Sequence, residues 1–129
     1  MTEPRGREAR NLEKIMLKIA LLLFAIGAVG GMVLAASVLR GRIAPWALSA
    51  AHAALGASGI VVLLFVVLQG AAAGRVVAAL ALFVAAALGG FYLASLHWRG
   101  TIAPKAIVFV HAGVAVTAFL TLLSAVLGL

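Results

Sequence analysis

Apolar residues run along this chain in four long stretches, at about 15–39, 44–69, 75–98 and 103–128, separated by short turns rich in glycine and basic residues. A run of roughly 20 apolar residues is what a helix needs to cross the hydrocarbon of a bilayer, so the pattern predicts four transmembrane helices. The turns, Arg40 to Ile43, Gly70 to Gly74 and Arg99 to Ile102, are short enough to force successive helices to lie antiparallel and adjacent. The expected fold is an all-α, up-down-up-down four-helix bundle in a membrane. Pro45 and Pro104 are expected in the first turn of the second and fourth helices, where a missing N–H costs nothing. Residues 1–14 are polar and read as an N-terminal tail, disordered or interfacial. Residues 15–129 read as one domain without a linker.

The pattern also repeats itself. Gly30-Gly31-Met32-Val33-Leu34-Ala35 aligns with Gly89-Gly90-Phe91-Tyr92-Leu93-Ala94, Arg40-Gly41-Arg42-Ile43-Ala44-Pro45 with Arg99-Gly100-Thr101-Ile102-Ala103-Pro104, and His52 with His111, at a constant offset of 59 residues. Residues 15–69 form repeat one and residues 75–128 repeat two. Each copy holds two spans, so both enter the membrane in the same direction, and the copies are expected to be related by a pseudo-two-fold axis along the membrane normal. The first stretch has the basic lead of a signal peptide, but its length and its alignment with the third span argue that it is retained.

Composition narrows the function. At 66% hydrophobic and 10% charged residues, with mean hydropathy +1.26, there is too little polar surface for a soluble globule. The net charge of +7 would suggest nucleic acid on a soluble domain, but here the basic residues sit at the ends of apolar runs, so the partner is the lipid bilayer and not nucleic acid. All three acidic residues, Glu3, Glu8 and Glu13, precede the first span, which leaves no carboxylate inside the membrane. The absence of cysteine excludes disulfides, thiolate metal sites and covalent c-type haem attachment. Arg5, Arg7, Arg10, Lys14, Lys18 and Arg75 outnumber Arg40, Arg42, Arg99 and Lys105 on the opposite side, which favours cytoplasmic termini. Trp46, Trp98 and Tyr92 gather toward that second side as an aromatic belt. Richness in Ala, Gly, Leu, Val and Arg associates with a GC-rich bacterial genome, so the expected location is a bacterial inner membrane.

Candidate chemistry centres on the duplicated histidine. His52 and His111 each follow the helix-starting proline by seven residues, about 10 Å into the helix, and should lie at one depth. Spans two and four occupy one diagonal of the bundle, roughly 11–14 Å across for ordinary helix spacing, so two imidazoles reaching inward can bind one iron between them. Gly30, Gly31, Gly89 and Gly90 lie on the other diagonal at similar depth, where bare backbone would leave room for a flat macrocycle. Ser49, Gly56 and Gly59 give the first histidine helix a small-residue face. Arg40, Arg42, Arg99 and Lys105 cluster where two propionates would emerge. His97, whose counterpart is Val38, stands with Trp98 near the interface, where a quinone headgroup could accept a hydrogen bond. No Walker, Rossmann, metalloprotease or nucleophile-elbow pattern is present.

Taken together, these residues resemble four-helix membrane b-type cytochromes, which hold haem between paired histidines on facing helices. The resemblance implies one haem b with His52 and His111 as axial ligands to its iron, Gly30, Gly31, Gly89 and Gly90 beside the ring, and Arg40, Arg42, Arg99 and Lys105 at the propionates. It also implies a subunit of a respiratory or other redox complex that passes electrons between quinol and a partner protein. The second pair of buried histidines that a two-haem cytochrome needs is missing here.

Each feature has a competing reading. A histidine in a membrane helix can be a hydrogen-bonded packing residue, the glycine pairs can serve small-xxx-small helix packing, basic turns can be interface anchors, and His97 can face lipid headgroups. A cofactor-free accessory or assembly subunit of a larger membrane complex is therefore the alternative. Proton-coupled export in the manner of small multidrug transporters would require a buried glutamate that no span supplies.

Overall fold

A computed structural model describes residues 4–70 and 72–129. Their regular structure is entirely helical: α1 Pro4–Leu39, α2 Trp46–Leu68, α3 Gly74–Trp98 and α4 Lys105–Leu127. All four are long and apolar enough to cross a membrane, with hydropathy between 2.2 and 2.5 over their best windows. This is a multi-pass membrane protein whose outer surface is apolar. Large side chains such as Leu22, Met32, Val61, Leu88 and Val110 are exposed and suited to lipid contact.

The N-terminal segment departs from the expected tail. Met1 to Glu3 lie outside the described residues, but residues 4–14 are helical and continuous with the first span. The sequence explains this, because Pro4 opens the helix at a position where its missing N–H is harmless. Arg, Glu, Ala, Leu and Lys then follow with only Gly6 to weaken the helix. At 36 residues, α1 is about 54 Å long, well beyond the hydrocarbon thickness of roughly 30 Å.

The two Arg-Gly turns stop their helices by the same device. Gly41 and Gly100 take φ of 68° and 66°, which glycine adopts at no steric cost. The residue after each reaches back to cap the helix, Arg42 N–H to Ser37 O and Thr101 N–H to Leu96 O, both 2.9 Å. These are Schellman closures. Pro45 and Pro104 fall one residue earlier than expected, at the N-caps of α2 and α4. Their extended ψ of 136° and 130° suits a residue flanking the helix rather than one inside it. Of the central turn, Ala71 lies outside the described residues.

Packing runs round the bundle in chain order. α1 packs most extensively on α2 and α3 on α4, while the α2–α3 and α1–α4 seams are thinner and, among the described residues, the diagonal pairs are not in backbone contact. The tightly filled core occupies one end only. Leu17, Ala20 and Phe24 of α1 meet Leu63 and Val66 of α2, Val76, Ala79 and Phe83 of α3, and Ala118 and Leu122 of α4. Phe24 and Phe83 stack across one diagonal, with ring centres 3.6 Å apart and planes 4° from parallel. Gly59 permits this, since a Cβ there would come within 2.6 Å of the Phe24 ring.

Candidate functional site

The other end of the bundle is hollow. A cavity of about 300 Å³ lies between the helices on the side of the two Arg-Gly turns, at the lower end of the range for small-molecule sites. Its wall is mainly aliphatic and small. The polar side chains on it are Arg42, Ser49, His52, His97, Thr101 and His111.

His52 of α2 and His111 of α4 face each other across the diagonal not used by the phenylalanines. Their ring centres are 6.3 Å apart and their planes cross at 76°. Each ring is oriented by the hairpin that carries it. His52 Nδ1 lies 2.8 Å from Gly27 O on α1, and His111 Nδ1 lies 2.9 Å from Ala86 O on α3. A carbonyl can only accept, so Nδ1–H donates and, in the neutral ring, the lone pair sits on Nε2. A backbone carbonyl at Nδ1 is also the usual outer-shell partner of a metal-bound histidine, fixing ring orientation and raising ligand basicity.

The spacing can be tested against a shared metal. With metal–imidazole bonds of about 2 Å and about 1 Å from nitrogen to ring centre, two imidazoles on opposite sides of one ion hold their centres roughly 6 Å apart. The observed 6.3 Å fits. Small residues on α1 and α3, among them Gly31, Ala35, Gly90 and Ala94, line the cavity beside the rings, so the donor pair and the recess suit a flat macrocycle. The described residues contain no group of three or more His, Cys, Asp or Glu placed to hold a bare metal ion.

The glycine pairs do more than leave open space. A Cβ on Gly31 would stand 2.9 Å from His52 Cε1, and one on Gly90 would stand 3.2 Å from His111 Cε1. The imidazoles themselves occupy that room. Gly30 abuts Leu48 and the His52 Cβ, and Gly89 abuts His111; neither lines the cavity. Gly31→Ala is therefore expected to push the His52 ring off Gly27 and to cost about 1–3 kcal/mol by overpacking, with Gly90→Ala milder. Thermal unfolding in detergent checks the order, and equal stability of both variants with the parent would refute it.

Of the basic residues expected near propionates, only Arg42 lines the cavity, while Arg40, Arg99 and Lys105 are exposed and do not border it. Each glycine reversal brings the following residue to the cavity, Arg42 in one turn and Thr101 in the other. His97 does not face outward. It is half-buried, lines the cavity and donates from Nε2 to Ala44 O at 2.8 Å, tying the end of α3 to the turn before α2. Trp98 is exposed, lies outside the cavity and meets Trp46 edge to face at 5.6 Å. Replacing His97 with valine, the residue at the equivalent position 38, is expected to cost about 1 kcal/mol of net hydrogen bonding. Hydrogen exchange of the backbone at 41–45 would rise, and an unchanged rate there would show the tie to be idle.

Several parts of this arrangement lay outside the reach of sequence reasoning. The acceptors Gly27, Ala86 and Ala44 act through backbone carbonyls, which carry no residue-type signal. The stack was within reach, because Phe24 and Phe83 also stand 59 residues apart. Comparison with known protein families, characterised proteins and solved structures finds no match to this chain.

Proposed function

We propose that this protein is a membrane b-type cytochrome, a haem-binding subunit that passes electrons between the quinone pool and a partner protein. One observation carries the reading: His52 and His111 stand 6.3 Å apart on opposed helices, each with Nδ1–H given to a backbone carbonyl. In this reading the helices alternate up and down, the two hairpins are related by a pseudo-two-fold axis along the membrane normal, and both termini lie in the cytoplasm of a bacterium. The partner is a subunit of a larger respiratory or redox complex in the inner membrane.

His52 and His111 would hold the iron through Nε2, and Arg42 would pair with a propionate at the mouth. The haem, when bound, supplies one-electron redox chemistry. The protein does the rest. Gly27 O and Ala86 O fix the imidazole orientation, and the aliphatic wall excludes water from the centre. The Phe24–Phe83 stack and the filled core beneath it close the cavity toward the end that carries the termini.

A cofactor-free accessory subunit is the second reading, favoured by the fact that each imidazole already has a protein partner and fills the space left by its glycine. A reduced-minus-oxidised visible spectrum of the purified full chain separates the two. A sharp reduced α-band at about one haem per chain supports the cytochrome. A colourless chain recovered only within a larger complex sinks it in favour of the accessory reading.

A further inference from the structure

The cavity wall departs from the repeat on one side only. Most lining positions occur in pairs 59 residues apart, such as Gly31 with Gly90 and Ala35 with Ala94. Five do not: Ala28 and Met32 on α1, and Ala112, Ala115 and Val116 on α4. All five lie on the two helices of the α1–α4 seam, one of the two thinly packed contacts between hairpins. Met32 and Val116 are also 64% and 57% exposed on the outer surface, so the cavity reaches the exterior there. Met32 is seven residues from the end of α1 at Leu39, about 10 Å along the helix, and this depth is hydrocarbon rather than headgroup.

The repeat-equivalent positions of the α2–α3 seam, among them Gly56, Ala57 and Phe91, do not border the cavity. There Gly56 and Ala57 stand where α4 has Ala115 and Val116, and Phe91 stands where α1 has Met32. Smaller residues let two backbones approach more closely, and the aromatic ring is bulkier than the thioether it replaces. Both differences favour a shut seam between α2 and α3 and an open one between α1 and α4.

We propose that the α1–α4 seam is a lateral portal through which a bilayer-dissolved quinone-class molecule reaches the cavity. The ligand's chemistry follows from what it must cross and what it meets. Its route lies among acyl chains, which excludes charged solutes and phospholipid headgroups at that depth. Alanines at positions 28, 112 and 115 leave a slot suited to a flat head. Inside, the His97 Nδ1 and the Ser49 hydroxyl can meet a quinol hydroxyl or a quinone carbonyl. The identity of the ligand rests on the cytochrome reading, whereas the portal rests on the lining alone.

The test uses the purified full chain in phosphatidylcholine nanodiscs with a short-tailed azidoquinone as photolabel, and the visible spectrum of each sample is recorded before illumination. Label is expected on residues 28–32 and 112–116, displaced by excess unlabelled quinone. Closing the seam from either helix, by Ala28→Leu or by Val116→Phe, should reduce displaceable label roughly ten-fold, the scale of a blocked apolar pocket. The matched enlargements in the other seam, Ala87→Leu and Ala57→Phe, should not. Displaceable label confined to the α2–α3 seam, or label indifferent to both closing variants, overturns the portal. Label that obeys the portal in a protein without a haem spectrum upholds the portal and removes the cytochrome reading. A haem spectrum with no displaceable label does the reverse.

Discussion

In protein carrying His111→Ala, the reduced α-band of a six-coordinate b-type haem is expected to vanish, and His52→Ala should do the same. The two rings share one cavity, are held by equivalent carbonyls and are centred 6.3 Å apart, so neither can be spared if both grip one iron. Losing only an outer-shell partner of a metal ligand costs 10–100-fold in affinity. Losing the ligand itself should exceed about 100-fold, leaving the purified protein essentially without haem. Folding is not the reason for the loss, because alanine removes a half-buried ring from a cavity wall rather than from the packed core. Haem content measured beside thermal unfolding keeps the two effects apart. A band that persists in both variants would show that the iron, if present, is held elsewhere.

Phe83→Ala or Phe24→Ala is expected to produce the largest loss of stability. At 3.6 Å and 4° the rings overlap nearly face to face, an arrangement that ring quadrupoles do not favour. Packing therefore imposes it: Gly59 yields space to Phe24, and the fully buried Leu63, Val66, Val76 and Leu122 fill the same end of the bundle. Removing a buried phenylalanine from a core costs about 3–5 kcal/mol. Helices in lipid gain little from the hydrophobic effect against one another, so the loss is one of van der Waals contact and should lie near the lower bound, about 3 kcal/mol. Unfolding in mixed micelles of increasing denaturing detergent measures it. A change below about 1 kcal/mol would mean that the stack is ornamental.

The four spans are legible in sequence because lipid imposes a simple code of length and hydropathy, and the stops at Gly41 and Gly100 because an Arg-Gly pair after an apolar run marks a helix end. The histidine pair is legible through repetition: one intramembrane histidine is ambiguous, whereas two at one offset predict a meeting place. The start of α1 departs from the expected tail because the polarity of residues 4–14 hides their helix propensity. The roles of the basic residues are not separable in sequence, since which of Arg40, Arg42, Arg99 and Lys105 borders the cavity depends on the path of the reversal. His97 looks interfacial in sequence because its acceptor is a carbonyl 53 residues earlier, a contact with no local trace. The open seam is hidden for a different reason. It shows only where the copies disagree, at Met32 against Phe91 and Val116 against Ala57, whereas a repeat is recognised by the positions that agree.

Each imidazole is fastened within its own hairpin, His52 to α1 and His111 to α3, and the rings meet only across the thinner contacts between hairpins. Half of the metal-gripping geometry thus exists in either hairpin before the two associate, and neither half is sufficient. Bringing the hairpins together and completing the grip become a single event, so whatever occupies the gap acts as a clasp and stabilises the closed bundle by mass action. A hairpin of this kind could have begun as a self-associating peptide, with the fused gene making permanent a pairing that concentration once governed.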